Sequence, residues 1–220
     1  MRKIIYIMLF AVLAQACSQH VADGQAEGFL QLNEIHVASD VSVEPLGTRA
    51  VHDGLQVDIY RGDACLYSYA AADPVLDAPL PLPVGSYRLE AHSPDMLEPQ
   101  DGTAGVATYS VSHDFEIKLD QTTTLPALQA MRTNVGVSVS YDPGMKETIK
   151  DVRCVVASSS GREVTISGFD NATVHYFELP SDKKLTYYIW CKNVDDEEFR
   201  SDTKTISVEG PKNHKISVAI

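Results

Sequence analysis

The sequence predicts an all-β protein of two tandem β-sandwiches, and three observations carry that expectation. First, Val, Ile, Thr, Ser and Tyr recur in short alternating runs, and no stretch after Cys17 shows a 3.6-residue apolar period. Second, these runs follow one another at a spacing of about 8–12 residues, separated by Gly, Pro and Asp turns, the punctuation of a sandwich. Third, LPLPVGSYRLEAHS (80–93) is echoed by FELPSDKKLTYYIWCKN (177–193): a Leu-Pro, a turn, then a strand carrying aromatics. One larger sandwich is the competing organisation.

The elements follow in order. From Gly28, GFLQLNEIHV sets Leu30 and Leu32 on one face and Ile35 and Val37 on the other, which predicts a register shift or bulge. A polar loop runs from Pro45 to Asp53. LQVDIYRG then points Leu55, Val57 and Ile59 inward, and a turn at Arg61–Asp63 leads into ACLYSYA. Pro74, Pro79, Pro81 and Pro83 exclude a central strand, so that segment is a crossover or an edge. SYRLEAHS has Tyr87, Leu89 and Ala91 on its inner face. A Pro/Gly/Asp-rich loop covers 93–105, and VATYSVSHDFEIKLD reads as a hairpin or one bent strand.

The polar run at 122–124 opens the passage to the second pattern, which alternates cleanly at Val135, Val137, Val139 and Tyr141. It continues through VRCVVAS, EVTISGF, ATVHYFELP, KLTYYIWCK, TKTISVE and HKISVAI. The expected division is a signal segment over 1–16, a tether over 17–27, one sandwich over 28–127 and a second over 128–220, with the joint near 122–134.

The first seventeen residues, MRKIIYIMLFAVLAQAC, form an export signal: Arg2 and Lys3 lead, Ile4 to Leu13 are apolar, and Ala14 and Ala16 precede Cys17. The apolar run is shorter than the roughly 20 residues a membrane-spanning helix needs. A cysteine directly after a small residue resembles the bacterial lipoprotein lipobox, in which the thiol is acylated and becomes the mature N-terminus. Residues 18–27 (SQHVADGQAE) read as a flexible tether. The expected location is the cell envelope, lipid-anchored to the outer membrane, facing either the periplasm or the cell surface.

The net charge of −12, from 18 Lys and Arg against 30 Asp and Glu, argues against a nucleic-acid partner and against a polybasic membrane patch. Of the cysteines after Cys17, Cys154 and Cys191 both fall in strand-like runs. Two readings stand: free thiols packed as small hydrophobes, which the size of the domain favours, or one bridge between strands.

Taken in order, the lipobox Cys17, the tether, Gly28, Leu30, Leu32 and Ile35, then Thr48-Arg49-Ala50, VDIY, Leu82 to Tyr87, and Thr133 to Val139 resemble a family of exported Bacteroidetes lipoproteins. That family carries only a domain-of-unknown-function label and is distantly similar to the fimbrillin-like subunits of type V pili. The resemblance covers nearly the whole chain. It implies tandem immunoglobulin-like or transthyretin-like sandwiches, held at the envelope, without enzymatic chemistry. It also implies a processing site at Arg49-Ala50, where pilin relatives are cut before a strand from another subunit replaces the first strand, giving a homo- or hetero-polymer.

No nucleophile elbow, phosphate loop, HExxH or CxxC occurs, so no catalytic residue is assigned and no cofactor is expected. The seven histidines are scattered singly, without metal-ligand spacing. Asn193, Asp195 and Glu197 offer alternating oxygens, but the loop lacks the glycine and spaced terminal Glu of a calcium loop and reads as a solvated hairpin tip. Tyr187, Tyr188 and Trp190 are close enough in one strand that some must face away from the core. Tyr188 and Trp190 are the candidate surface for a glycan or protein ligand, against core packing with a half-buried edge. Three functions follow: a non-catalytic adhesion or binding lipoprotein, a polymerising pilin subunit matured at Arg49, or a glycan-binding accessory of a polysaccharide-uptake system.

Overall fold

The computed structural model describes residues 26–37, 54–70, 72–94, 96–100 and 102–219, so Cys17, Arg49 and Ala50 lie outside the described residues. Nine strands make the first half: β1 (Glu27–Gln31), β2 (Ile35–Val37), β3 (Gln56–Arg61), β4 (Ala64–Ala70), β5 (Leu80–Pro83), β6 (Gly85–His92), β7 (Tyr109–Ile117), β8 (Thr122–Thr124) and β9 (Leu128–Arg132). Eight follow: β10 (Asn134–Tyr141), β11 (Ile149–Ser158), β12 (Glu163–Ser167), β13 (His175–Glu178), β14 (Lys184–Asn193), β15 (Glu198–Arg200), β16 (Lys204–Ser207) and β17 (Asn213–Val218).

Each half is a sandwich of two sheets with the same wiring. An opening strand sits at the centre of a three-stranded sheet, β5-β1-β8 in the first half and β13-β10-β17 in the second. In both it runs antiparallel to the strand at the Leu-Pro echo, which β5 contains and β13 leads into, and parallel to a late strand. The facing sheet runs β4-β3-β6-β7, extended by β9 and β2, and in the second half β12-β11-β14, with β15 and β16 both on the far side of β14. The sequence echo is thus the passage from β5 to β6 and from β13 to β14.

Two separate apolar clusters fill the sandwiches. Leu30, Val57, Leu82, Leu89 and Ile117 belong to the first, and Val137, Val156, Ile166, Phe177 and Leu185 to the second. Alternation places these side chains inward because one face of each sheet meets its partner sheet and the other meets water. Pro81 and Pro83 fall in β5, an edge strand that does not need their missing N–H groups.

The predicted shift between Leu32 and Ile35 is a change of sheet. β1 pairs with β5 and β8, the chain breaks over 32–34, and β2 joins β9 in the larger sheet. VATYSVSHDFEIKLD holds one nine-residue strand, β7. The polar run at 122–124 is a strand as well, β8, parallel to β1. The sequence reading starts the second sandwich at residue 128, whereas β9 pairs with β2 and β7 of the first half and the second apolar cluster begins at Val135. Local alternation could not show this, because the assignment depends on which distant strand β9 meets.

Cys154 and Cys191 are free thiols. Cys154 faces Ile189 and Cys191 faces Val152 across the strands, so the two thiols are not opposed. Burial pushes the Cys154 thiol up to about 12, which keeps it protonated and unreactive.

Candidate functional site

The structure separates the three aromatics of β14 as its alternation requires. Tyr187 packs on the second core with Leu185, Ile189 and Cys191, so Tyr188 and Trp190 occupy the opposite, outward face. There the register builds a row across three strands: Arg153 of β11 is directly opposite Trp190, and Trp190 is directly opposite Arg200 of β15. The Arg153 guanidinium lies over the indole, 4.6 Å from the ring centroid, and that of Arg200 lies 3.9 Å from the centroid of Tyr188. Both distances are well inside the range of cation–π attraction. Val155, also on this face, is 7 % exposed although it lies outside the core cluster, as expected with Tyr188 directly opposite it. Thr186 and Thr205 form an exposed cross-strand pair beside the row.

Charges around the row are largely committed. Arg153 donates to Asp151 at 2.7 Å, while Lys192 and Lys150 both pair with Asp196 at the tip between β14 and β15. Hydrogen bonds from the two lysines, reinforced by their charge, hold the Asp196 carboxyl down at about 2. Arg200 is exposed and has no ion pair among the described residues. The acidic tip is closed on itself: Asn193 Oδ1 accepts from the amides of Asp195 and Glu197, and its Nδ2 donates to Glu197. Among the described residues no group of three His, Cys, Asp or Glu side chains is placed to hold a metal ion.

A cavity of about 590 Å³ lies where the halves meet, between the loop over 96–106 and β13. Its size is that of a ligand pocket, but its polar groups hold the loop in place. Glu98 and Glu178 cap each other, each carboxylate accepting from the other's amide at 3.3–3.4 Å. Arg162, its side chain 2 % exposed, lies 4.0 Å from the Glu98 carboxylate. It donates to the carbonyls of Pro99 and Thr103 and stacks over Phe177. Asn134 is spent on Val106 and Thr108. We read this cavity as a clasp joining the two sandwiches.

A third cluster stands on the outer face of the first sandwich. Asp58 accepts from Gln56 at 3.1 Å and pairs with His92 at 3.1 Å, and the other His92 nitrogen meets the Ser93 carbonyl at 2.9 Å. Both ring nitrogens face acceptors, an arrangement that suits the imidazolium. Burial alone would depress His92; the Ser93 carbonyl and the Asp58 carboxylate outweigh it and raise the group. The Ser68 hydroxyl beside this pair accepts from Gln56 at 2.8 Å and is hydrogen-bonded to Asp58.

With the geometry in place, comparison with known proteins decides the family. The model of a domain of unknown function, DUF4493, matches residues 26–220. The chain belongs to that family. No curated protein matches this DUF4493 chain. Among solved structures it is similar to a proposed cell adhesion protein of Bacteroides ovatus at 10 % identity and a TM-score of 0.43, with 90 % of this chain and 93 % of that one covered. It is similar to the C-terminal fragment of the pilus adhesin SpaC of Lactobacillus rhamnosus GG at 11 % identity and a TM-score of 0.26, covering 88 % and 97 %. It is also similar to the Bacillus anthracis TIE protein at 15 % identity and a TM-score of 0.33, covering 89 % of this chain and spanning 33 % of that one.

Of the residues singled out in the DUF4493 sequence, Tyr188 and Trp190 share one face, and Cys17, Arg49 and Ala50 are not described. Sequence reasoning missed Arg153 and Arg200. The only signal for them is parity: once β14 is registered against β11 and β15, both fall on the Trp190 row.

Proposed function

We propose that the protein is an exported, lipid-anchored envelope protein with a non-catalytic binding role, and that the outward face around Trp190 and Tyr188 holds its ligand, a glycan or a protein. The observation that carries this reading is the Arg153–Trp190–Arg200 row with Tyr188 beside it, a set of planar side chains grouped on an open sheet face. Such a face recognises planar or ring-shaped partners and has no group positioned to transfer a proton or attack a bond. The lipobox at Cys17 supports anchoring at the envelope. For the test, the full chain in detergent is applied to a glycan array and to immobilised matrix proteins. Retention on at least one class is expected, reduced about tenfold in Trp190→Ala with the melting temperature unchanged. A chain retained by nothing removes the reading. Labelled palmitate incorporated by the wild type and lost in Cys17→Ala checks the anchor.

A pilin-like role is the second reading, and the central place of β1 favours it. β1 lies between β5 and β8, and Arg49-Ala50 follows it in the sequence. Cleavage there would free the strand, and a strand of another copy could then re-pair both neighbours. An Arg-specific protease should remove residues up to Arg49 and yield ladders of polymer; an unchanged monomer excludes this role.

A further inference from the structure

The face around Trp190 does not offer a neutral sugar what it needs. A neutral pyranose stacks its C–H face on an uncovered aromatic ring, but here the Arg153 guanidinium lies 4.6 Å over the indole and that of Arg200 lies 3.9 Å over the phenol. A ligand approaching from solvent meets N–H forks first. Arg153 spends one nitrogen on Asp151, and Arg200 has no carboxylate partner among the described residues. A guanidinium stacked on a ring keeps its in-plane donors free and pre-oriented, the geometry that takes a carboxylate or sulfate through two parallel hydrogen bonds.

The sheet also constrains the kind of anion. β11 and β14, which carry Arg153, Tyr188 and Trp190, are interior strands paired on both sides, while Arg200 stands on β15, which with β16 forms the sheet's edge beyond β14. An acidic peptide added as a strand would have to follow that edge, which is broken between the short strands β15 and β16 and does not reach Trp190 in the sheet's interior. A flat face with planar cations, ring edges and the hydroxyls of Thr186 and Thr205 suits a polyhydroxylated chain with spaced negative charges. We infer that this face binds an acidic polysaccharide, with Arg200 as the residue that takes its carboxylate or sulfate group and Trp190 and Tyr188 as the supports that hold the two guanidinium planes. Asp151 and Glu198 flank the row, so the attraction is confined to the Arg200 fork, within a chain of net charge −12.

This inference rests on the reading that the Trp190 face is a ligand surface, and the experiment separates the two. The full chain in detergent is tested on immobilised polygalacturonate, chondroitin sulfate, dextran and polyglutamate. Retention is expected on at least one of the two acidic glycans, weakening as salt is raised. Arg200→Gln should reduce it roughly tenfold or more, and Arg200→Lys should fail to restore it, since an ammonium has no fork. Both variants should melt with the wild type, because Arg200 is exposed. Salt-insensitive retention on dextran alone would overturn the acidic class and leave the ligand surface standing. Equal retention on polyglutamate, or acidic-glycan retention unchanged in Arg200→Gln, would overturn the assignment. Retention on none of the four, together with none on the wider array, would remove both.

Discussion

Two glycines show how single residues set the tolerance of this fold. Gly28 in β1 faces the first core beside Leu30, whereas Gly136 in β10, between the core residues Val135 and Val137, faces outward, and each lies close to the segment at the start of its strand's parallel partner. A Cβ on Gly28 would sit 2.1 Å from the Lys118 carbonyl oxygen, a backbone atom fixed by the turn that returns the Asp120 amide to Glu27. A Cβ on Gly136 would sit 2.0 Å from Asn213 Oδ1 and 2.7 Å from both Arg132 Nη2 and Val174 Cγ1, all side-chain atoms, of which the first two are ends that can swing away. Overpacking of this kind costs about 1–3 kcal/mol, and backbone relaxes less readily than side chains. Gly28→Ala should therefore fall at the upper end of that range. Gly136→Ala should cost less, about 1–2 kcal/mol, from the loss of the 2.8 Å hydrogen bond from Arg132 to Asn213 and the displacement of Val174. Chemical denaturation of both variants checks the order; equal losses would mean that the strand crossing at Gly28 relaxes. Either glycine in the sequence reads as an ordinary strand weakness, since the atom it must avoid belongs to a distant segment.

Among the elements, two sets of strands carry histidines that respond to pH in opposite directions. In the first sandwich His92 of β6 is raised above its ordinary 6.5 by Ser93 and Asp58, although burial opposes this. Burial also works to raise Asp58 of β3, but hydrogen bonds from Ser68, His92 and Gln56 bring it below 3.8. The stability His92 contributes is complete below pH 6.5 and is lost as pH rises through its folded value; that of Asp58 is lost only in acid, below 3.8. In the second sandwich, His175 of β13 and His214 of β17 flank Val137 of β10 on the core side. Burial lowers both, helped by Arg162 at His175 and by Lys212 and Arg132 at His214. The unfolded chain takes up their protons first, so their sandwich weakens as pH falls through 6.5. Denaturant midpoints between pH 4.5 and 8.5 should show that His92→Gln flattens the alkaline limb and that His175→Leu with His214→Leu flattens the acid limb. An acid limb unchanged in the double variant refutes the account for that sheet. The sequence placed β3, β6, β10 and β14 well because each alternates apolar side chains on its core face with other residues on the opposite face. It could not place β8 or β15: three polar residues and an exposed Glu-Phe-Arg have no pattern of their own and are strands only through β1 and β14. The same limit applies at the candidate site, where parity with Leu185 separates Tyr188 and Trp190 from Tyr187, but the stacking arginines need the register of β11 and β15.

At the scale of the whole molecule, the question is what makes two sandwiches behave as one body, and the clasp answers it. The loop over 96–106 belongs to the first half, yet Glu98 and Arg162, side chains 3 % and 2 % exposed, meet against the second. The Ala104 carbonyl accepts from the Tyr176 amide at 2.8 Å, and Ser160 donates to Glu98. The loop also covers β13, an edge strand that would otherwise present unpaired backbone groups to other chains. Composition alone reads 93–105 as a Pro/Gly/Asp-rich loop and gives no sign of the clasp, because the buried glutamate becomes intelligible only beside an arginine from the other half. Removing one partner of a buried charged pair costs about 3–5 kcal/mol, and Arg162 keeps its two carbonyl acceptors, so Glu98→Gln should lie near the lower figure. That loss falls on the joint and leaves both apolar clusters intact. Calorimetry of the wild type should show one transition, and Glu98→Gln should split it in two, with proteolysis newly admitted within 96–106. A single transition merely shifted downward would place the coupling instead on the Arg132 hydrogen bonds to Asn134 and Asn213, which cross the joint beside Thr133.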